Sequence, residues 1–222
     1  MTYAKTAALM MGAAMMASPL SAQDQKVQPT EVSVPATQFT IGDQSFVMPI
    51  PAGFCLPRGE NQTASQELAA TDITNRTLVD MDVCGTFAIN YVLVKTPRQS
   101  PMIPIPREQF FSLMAREVEA GTAREQAIEQ ANEAIAQISE GTITLEPSDF
   151  GFEGYDDECL YTSGIIRLQT ETEVDKAHAA GCTTLIANRL LSVHVYDYTE
   201  EPATIEVLRE RARDIALSIR EQ

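Results

Sequence analysis

Cys182-Thr183-Thr184-Leu185-Ile186-Ala187-Asn188-Arg189-Leu190-Leu191-Ser192-Val193-His194-Val195-Tyr196-Asp197-Tyr198 is the stretch whose reading decides the fold class. Its two arms are rich in β-branched and aromatic residues, and Asn188-Arg189 between them supplies a short polar turn with an asparagine that tolerates left-handed backbone. In the second arm Leu191, Val193 and Val195 take one face, and Leu190, Ser192, His194, Tyr196 and Tyr198 take the other. That is a hairpin with a buried side. Pro202 then opens a helix in which Ile205, Leu208, Ala212, Ile215 and Ile219 recur at helical spacing. Adjacent strands followed by an amphipathic helix predict a mixed α+β domain rather than alternating βαβ units.

Working outward, Cys159 to Leu168 and Thr142 to Leu145 read as further strands, and Phe87, Ile89, Tyr91 and Leu93 alternate with Ala88, Asn90, Val92 and Val94 in a central one. Pro97, Pro101, Pro104 and Pro106 fill a loop whose last proline starts a helix to about Ala120, with Phe110, Met114 and Val118 on one stripe. Thr122 and Glu125 form a capping box for a second helix that ends at Gly141. Thr63 with Gln66 opens a short helix through Ala70, and Gly42-Asp43 turns between two extended pieces in 39–51. Pro49 and Pro51 donate no hydrogen bond, so the second piece belongs at a sheet edge or a strand end. The expected architecture is one α+β domain over residues 39–222, a single largely antiparallel sheet covered by helices on one face.

The chain has 222 residues, with 16 basic against 31 acidic and a formal charge of −15. Lys5 precedes an uncharged apolar run from Ala7 to Ala17, and Ser18-Pro19-Leu20-Ser21-Ala22 ends it on a small residue. This is the pattern of a secretory signal peptide cut after Ala22, and the run is shorter than the roughly 20 residues that span a bilayer. Residues 23–38 hold Pro29 and Pro35 among polar residues and read as a flexible lead-in. The expected location is the periplasm or the exterior, with no stable membrane insertion of the mature chain. Its acidic surface repels nucleic-acid phosphates and leaves basic proteins, cationic ligands and divalent metals as fitting partners.

Cys55, Cys84, Cys159 and Cys182 are all the cysteines, and an even set in an exported chain favours disulfides. Three pairings are open; proximity favours Cys55 with Cys84 and Cys159 with Cys182. No CxxC pair or zinc-ligand spacing occurs, and no cofactor motif is present.

Chemistry is sparse. The chain has two histidines, His178 in an expected loop or short helical turn and His194 in the last strand. A triad would have to draw on Ser192 or Ser163 with Asp197, yet Asp197 alternates to the face opposite His194 and no GxSxG turn surrounds either serine. Asp149-Phe150-Gly151-Phe152-Glu153-Gly154-Tyr155-Asp156-Asp157-Glu158 is dense in oxygen ligands but lacks the calcium-loop spacing. No residue is therefore assigned as catalytic, cofactor-binding or metal-binding. The leading expectation is a non-catalytic periplasmic accessory or protein-binding domain, meeting its partner near Pro49–Pro51 and the 97–106 loop. The alternative is a divalent-cation-assisted hydrolase using surface carboxylates, Glu153 and Asp157 with His194.

Phe46-Val47-Met48-Pro49-Ile50-Pro51-Ala52-Gly53-Phe54 resembles the opening strand and proline-glycine-aromatic turn of the PsbP-like fold. The order of strand, helices, strands and terminal helix from about residue 87 to 220 is similar to it as well. The resemblance implies a non-enzymatic exported domain that assists larger protein assemblies. It transfers no ligand residues, and the four cysteines and the proline-rich 97–106 segment are departures from it.

Overall fold

The computed structural model describes residues 34–99, 101–119, 144–146, 149–169 and 174–222. The signal peptide expected at 1–22, most of the lead-in expected at 23–38 and the helix expected from Thr122 to Gly141 lie outside these residues. Residues 34–222 form one compact unit. Its elements are β1 (Ala36–Ile41), β2 (Gln44–Pro49), β3 (Phe54–Cys55), α1 (Glu60–Thr71), β4 (Asn75–Val83), β5 (Asn90–Pro97), α2 (Arg107–Glu119), β6 (Thr144–Glu146), β7 (Gly151–Tyr155), β8 (Leu160–Gln169), β9 (Val174–Ile186), β10 (Arg189–Asp197), α3 (Ile205–Ser218) and β11 (Arg220–Glu221).

The strands form two sheets, not the single one expected. The larger has the order β3-β4-β5-β10-β9-β8-β6, with β7 also on β8; the smaller is β1-β2-β11, and every pairing is antiparallel. Two features separate them. After α3 the chain returns to the free side of β2, where Arg220 stands opposite Val47 and Glu221 opposite Phe46. Pro49 and Pro51 end β2, and the β1–β2 hairpin meets the core through Phe39, Ile41, Phe46 and Met48 instead of through ladder bonds. It is a lid of side chains on the larger sheet.

The core lies between that lid, the larger sheet and α3. Val79 and Met81 of β4, Val92 and Val94 of β5, Leu191, Val193 and Val195 of β10, and Ala180 and Cys182 of β9 pack with Leu208, Ala212, Ile215, Ala216 and Ile219. Burying each large aliphatic side chain contributes about 1.5–3 kcal/mol, which is why the apolar period of α3 was so clear in the sequence. Thr204 caps α3 by accepting from Val207 N. The helix cover expected over a sheet face is thus in place at α3. Residues alternating to the other side meet α1 at β4, where Ser65 Oγ donates to Asp80, and α2, whose Phe110 and Phe111 cluster with Leu160 and Leu185.

β9 starts at Val174, so His178, expected in a loop or short helical turn, lies in a strand. Ala177, Ala179 and Ala180 are fully buried there, and His178 Nδ1 lies 2.8 Å from the Ala203 carbonyl beside α3. The β9–β10 turn is two residues, Ala187 and Asn188, both at positive φ (48° and 60°), one position earlier than Asn188-Arg189. This backbone matches the twist of the flanking strands. Two disulfides staple the sheet, Cys55–Cys84 and Cys159–Cys182, with Cα separations of 5.0 and 5.2 Å.

Candidate functional site

On the face of the larger sheet that turns away from α3, register sets polar side chains in rows. Asp82, Tyr91, Tyr196 and Ala179 form one row; Asp80, Leu93, His194, Gly181 and Thr162 the next; Thr77, Lys95, Ser192 and Thr183 a third. Alternation along β10 leaves no choice: once Leu191, Val193 and Val195 enter the core, His194 and Tyr196 share this face. Gly181 makes room for the imidazole, since a Cβ there would stand 2.7 Å from Thr162 Oγ1 and 3.0 Å from His194 Nδ1.

Tyr91 stacks on Tyr196 at 4.7 Å between ring centroids and on Tyr198 at 6.2 Å, and Tyr196 lies 6.3 Å from His194. Burial, then the neighbouring Tyr198 and Tyr196, pushes the Tyr91 phenol well above its ordinary range. Burial first and the Asp72 charge second push Tyr196 up to about 12. Burial, helped by the Lys95 charge, depresses His194 to about 4. Lys95 Nζ lies 2.9 Å from Asp72 Oδ2; burial alone would raise that carboxyl, but Lys95 and the Asn75 and Thr74 donors outweigh it and hold it at about 2. At neutral pH the face thus holds neutral phenols, a neutral imidazole and a closed Lys95–Asp72 pair.

Where α1 crosses β4 and β5 a cleft of about 180 Å³ opens, lined by Ser65 and Leu68 of α1, Asp80 and Asp82 of β4, and Tyr91 and Leu93 of β5. Its rim includes Ala88, a non-glycine residue at φ 56° whose N–H donates to Asp82 Oδ1 at 2.8 Å. Ala88 and Tyr91 also border a broad open groove of about 690 Å³ that runs to Leu168, Asp175 and Lys176. Burial raises both carboxyls of the cleft; at Asp80 the charge of Asp82 adds to the effect, and the Ser65 hydroxyl opposes it.

The residues singled out from the sequence do not converge. Asp197 is buried and spends its carboxylate on Thr199 N, Thr199 Oγ1 and Ala203 N, so it orients no histidine. Ser163 is fully buried opposite Ala180 on the core side. Glu153 lies on β7 and Asp157 in the turn after it, outside β8, while His194 is on β10 with β8 and β9 between. Within the acidic stretch 149–158, Gly151–Tyr155 is a strand. Asp156 accepts from Glu158 N and Cys159 N, both at 2.8 Å, and from the Tyr161 hydroxyl at 2.7 Å, and Glu158 pairs with Arg213. Among the described residues no group of three or more His, Cys, Asp or Glu side chains is placed to hold a metal ion. Asp80 and Asp82 were missed because 71–86 carries no clean pattern; the signal available was Asp80-Met81-Asp82, two carboxylates one strand period apart.

Fold and site together define an α+β domain of two antiparallel sheets, fixed by two disulfides, with a carboxylate-bearing cleft under a short helix. No protein-family model and no curated protein sequence matches the chain. The solution structure of cyanobacterial PsbP from Synechocystis sp. PCC 6803 matches with a TM-score of 0.46 and 11% identity, covering 85% of this chain and 94% of that one. This is a weak structural match to the PsbP-like fold, as coarse as the resemblance at Phe46–Phe54. Among the described residues no helix is long and apolar enough to cross a membrane.

Proposed function

We propose that the chain is an exported accessory domain that acts by docking on a protein partner through the α1 side of its larger sheet, without turning over a substrate. The observation that carries this reading is an acidic cleft with an exposed apolar residue on its wall and two more on the chain segments that flank it. Leu68 on the wall is 45% exposed; Ile73, next to the Asp72 that holds Lys95, is 71% exposed; Ile89, next to Ala88 at the rim, is 45% exposed. Exposed apolar residues on and beside the wall of a cleft are the composition of a contact surface. The surfaces expected from the sequence fit less well. β2 is paired on both sides, and the proline loop is bound to the β9–β10 turn by Leu190 N to Pro101 O at 2.8 Å and Ile103 N to Asn188 O at 2.9 Å. The leader-like residues 1–22 and the two disulfides support the exported part of the reading.

The test is site-specific photo-cross-linking in the periplasm. A photoreactive residue at Ile73 or Ile89 is expected to trap one defined, saturable protein adduct. The same group at Val207, an exposed position on α3, is expected to trap none. Adducts that do not differ among the three positions, or no adduct at all, would refute the docking surface.

A further inference from the structure

We propose that the α1–β4–β5 cleft is a pocket for a primary alkylammonium group on an apolar stem, namely a lysine side chain presented by the partner. The inference rests on the docking reading above and adds to it the chemistry of the group that enters.

Size comes first. At about 180 Å³ the cleft is smaller than the roughly 300–1,000 Å³ typical of small-molecule sites, so it suits a single side chain rather than a whole metabolite. Its walls are mostly apolar, with Leu68, Ala69, Phe87 and Leu93 beside the Tyr91 ring, and they match an aliphatic stem.

Charge decides the tip. Asp82 is only 5% exposed and lines the cleft; its Oδ1 accepts from Ala88 N, and its Oδ2, which is not a buried unsatisfied atom, remains open for a further donor. A carboxylate oxygen facing a narrow, apolar-walled cleft pairs best with a donor that carries positive charge, because a charge-assisted hydrogen bond is stronger there than in open water. Asp80, one strand period away on the same face, is bonded to Ser65 and adds a second negative charge. Lys95 also borders the cleft and its charge is felt at Asp80, but its ammonium is paired with Asp72 and leaves Asp82 without a cationic partner. An anionic or neutral group would leave Asp82 as it is. A compact ammonium suits the narrow space better than a planar guanidinium, which seeks a bidentate carboxylate fork, and here one Asp82 oxygen is already taken by Ala88. The chain's excess of acid directs basic partners toward it in general; Asp82 supplies the specific point of attachment.

The test is a two-dimensional amide NMR titration of the purified protein with n-butylammonium, n-butanol and butyrate as probes of equal stem length. Butylammonium is expected to saturate at millimolar concentration, shifting Leu68, Ala88 and Tyr91, with butanol and butyrate at least tenfold weaker. Asp82→Asn keeps an acceptor for Ala88 N and should weaken butylammonium at least tenfold, while Asp157→Asn should not. Leu68→Lys sits at an exposed position, leaves the buried groups untouched, and should reduce probe binding several-fold by placing the chain's own ammonium at the mouth. Equal binding of butanol, or full binding in both Asp82→Asn and Leu68→Lys, overturns the proposal. If cross-linking from Ile73 and Ile89 succeeds but butylammonium does not bind, only the lysine pocket falls. Butylammonium binding without any cross-linked protein would make a free amine the occupant and overturn the lysine assignment.

Discussion

His194 shows how one side chain reports its surroundings. Its imidazole is placed by strand alternation, fits over Gly181, and is depressed to about 4 from an ordinary value of 6.5 by burial and then Lys95. The unfolded chain takes up a proton below about pH 6.5 that the folded chain refuses until about pH 4. Stability contributed at neutral pH is therefore lost as pH falls through that window, by up to about 3 kcal/mol. Asp80, whose carboxyl is raised by burial, works in the opposite sense, so the clean readout is the difference between proteins. Urea midpoints from pH 7 to 4 should fall less steeply in His194→Gln than in the natural chain; parallel curves would remove His194 as the cause. The face of His194 was legible in the sequence, since it followed from the neighbouring valines. Its partners were not, because Asp80, Tyr91 and Gly181 arrive from three other strands and only register brings them together.

At the scale of elements, the two disulfides separate chain entropy from packing. They span 29 and 23 residues, so loop closure assigns both about 3.5 kcal/mol. They differ in burial: Cys159 and Cys182 are fully buried in the core, whereas Cys55 and Cys84 are exposed. The double variant Cys159→Ala/Cys182→Ala should therefore cost clearly more than Cys55→Ala/Cys84→Ala in chemical denaturation, because it also leaves a space among Tyr161, Val193 and α3. Equal losses would show that burial adds nothing to the link. Elements driven by large apolar residues, such as α3, β5 and β10, were readable for the same reason that they are stable. The first half of β9 was not. Ala177, Ala179, Ala180 and Gly181 carry no strand propensity, yet the sheet needs small residues there because His194 and the α3 side press close on either face. β4 was hidden by a bulge between Thr77 and Val79 that breaks its alternation.

At the scale of the whole molecule, the smaller sheet is completed by β11, two residues that no sequence pattern marks and that bring Arg220 opposite Val47 directly after α3, on the edge of β2 that β1 leaves free. The apolar pattern dictated which faces meet; the return of the chain dictated which strands pair. Both disulfides also bear on where folding takes place. A chain that keeps Lys5 and the apolar run to Ala17 attached, in a reducing cytosol, would hold four thiols, while a chain exported and cut after Ala22 would meet an oxidising compartment and hold none. The two properties should therefore change together. Intact-mass measurement of protein from the periplasm should give a chain beginning at Gln23 or within a few residues of it, lighter by four hydrogens than its reduced form. Replacing Ala22 with a bulky residue should slow the cut, because the site requires a small side chain. A form retained by deleting residues 7–17 should titrate four thiols under denaturing conditions and unfold at lower denaturant. Recovery of the natural chain solely in the cytosol, with Met1 intact and four free thiols, would refute export and remove the compartment in which the proposed partner is sought.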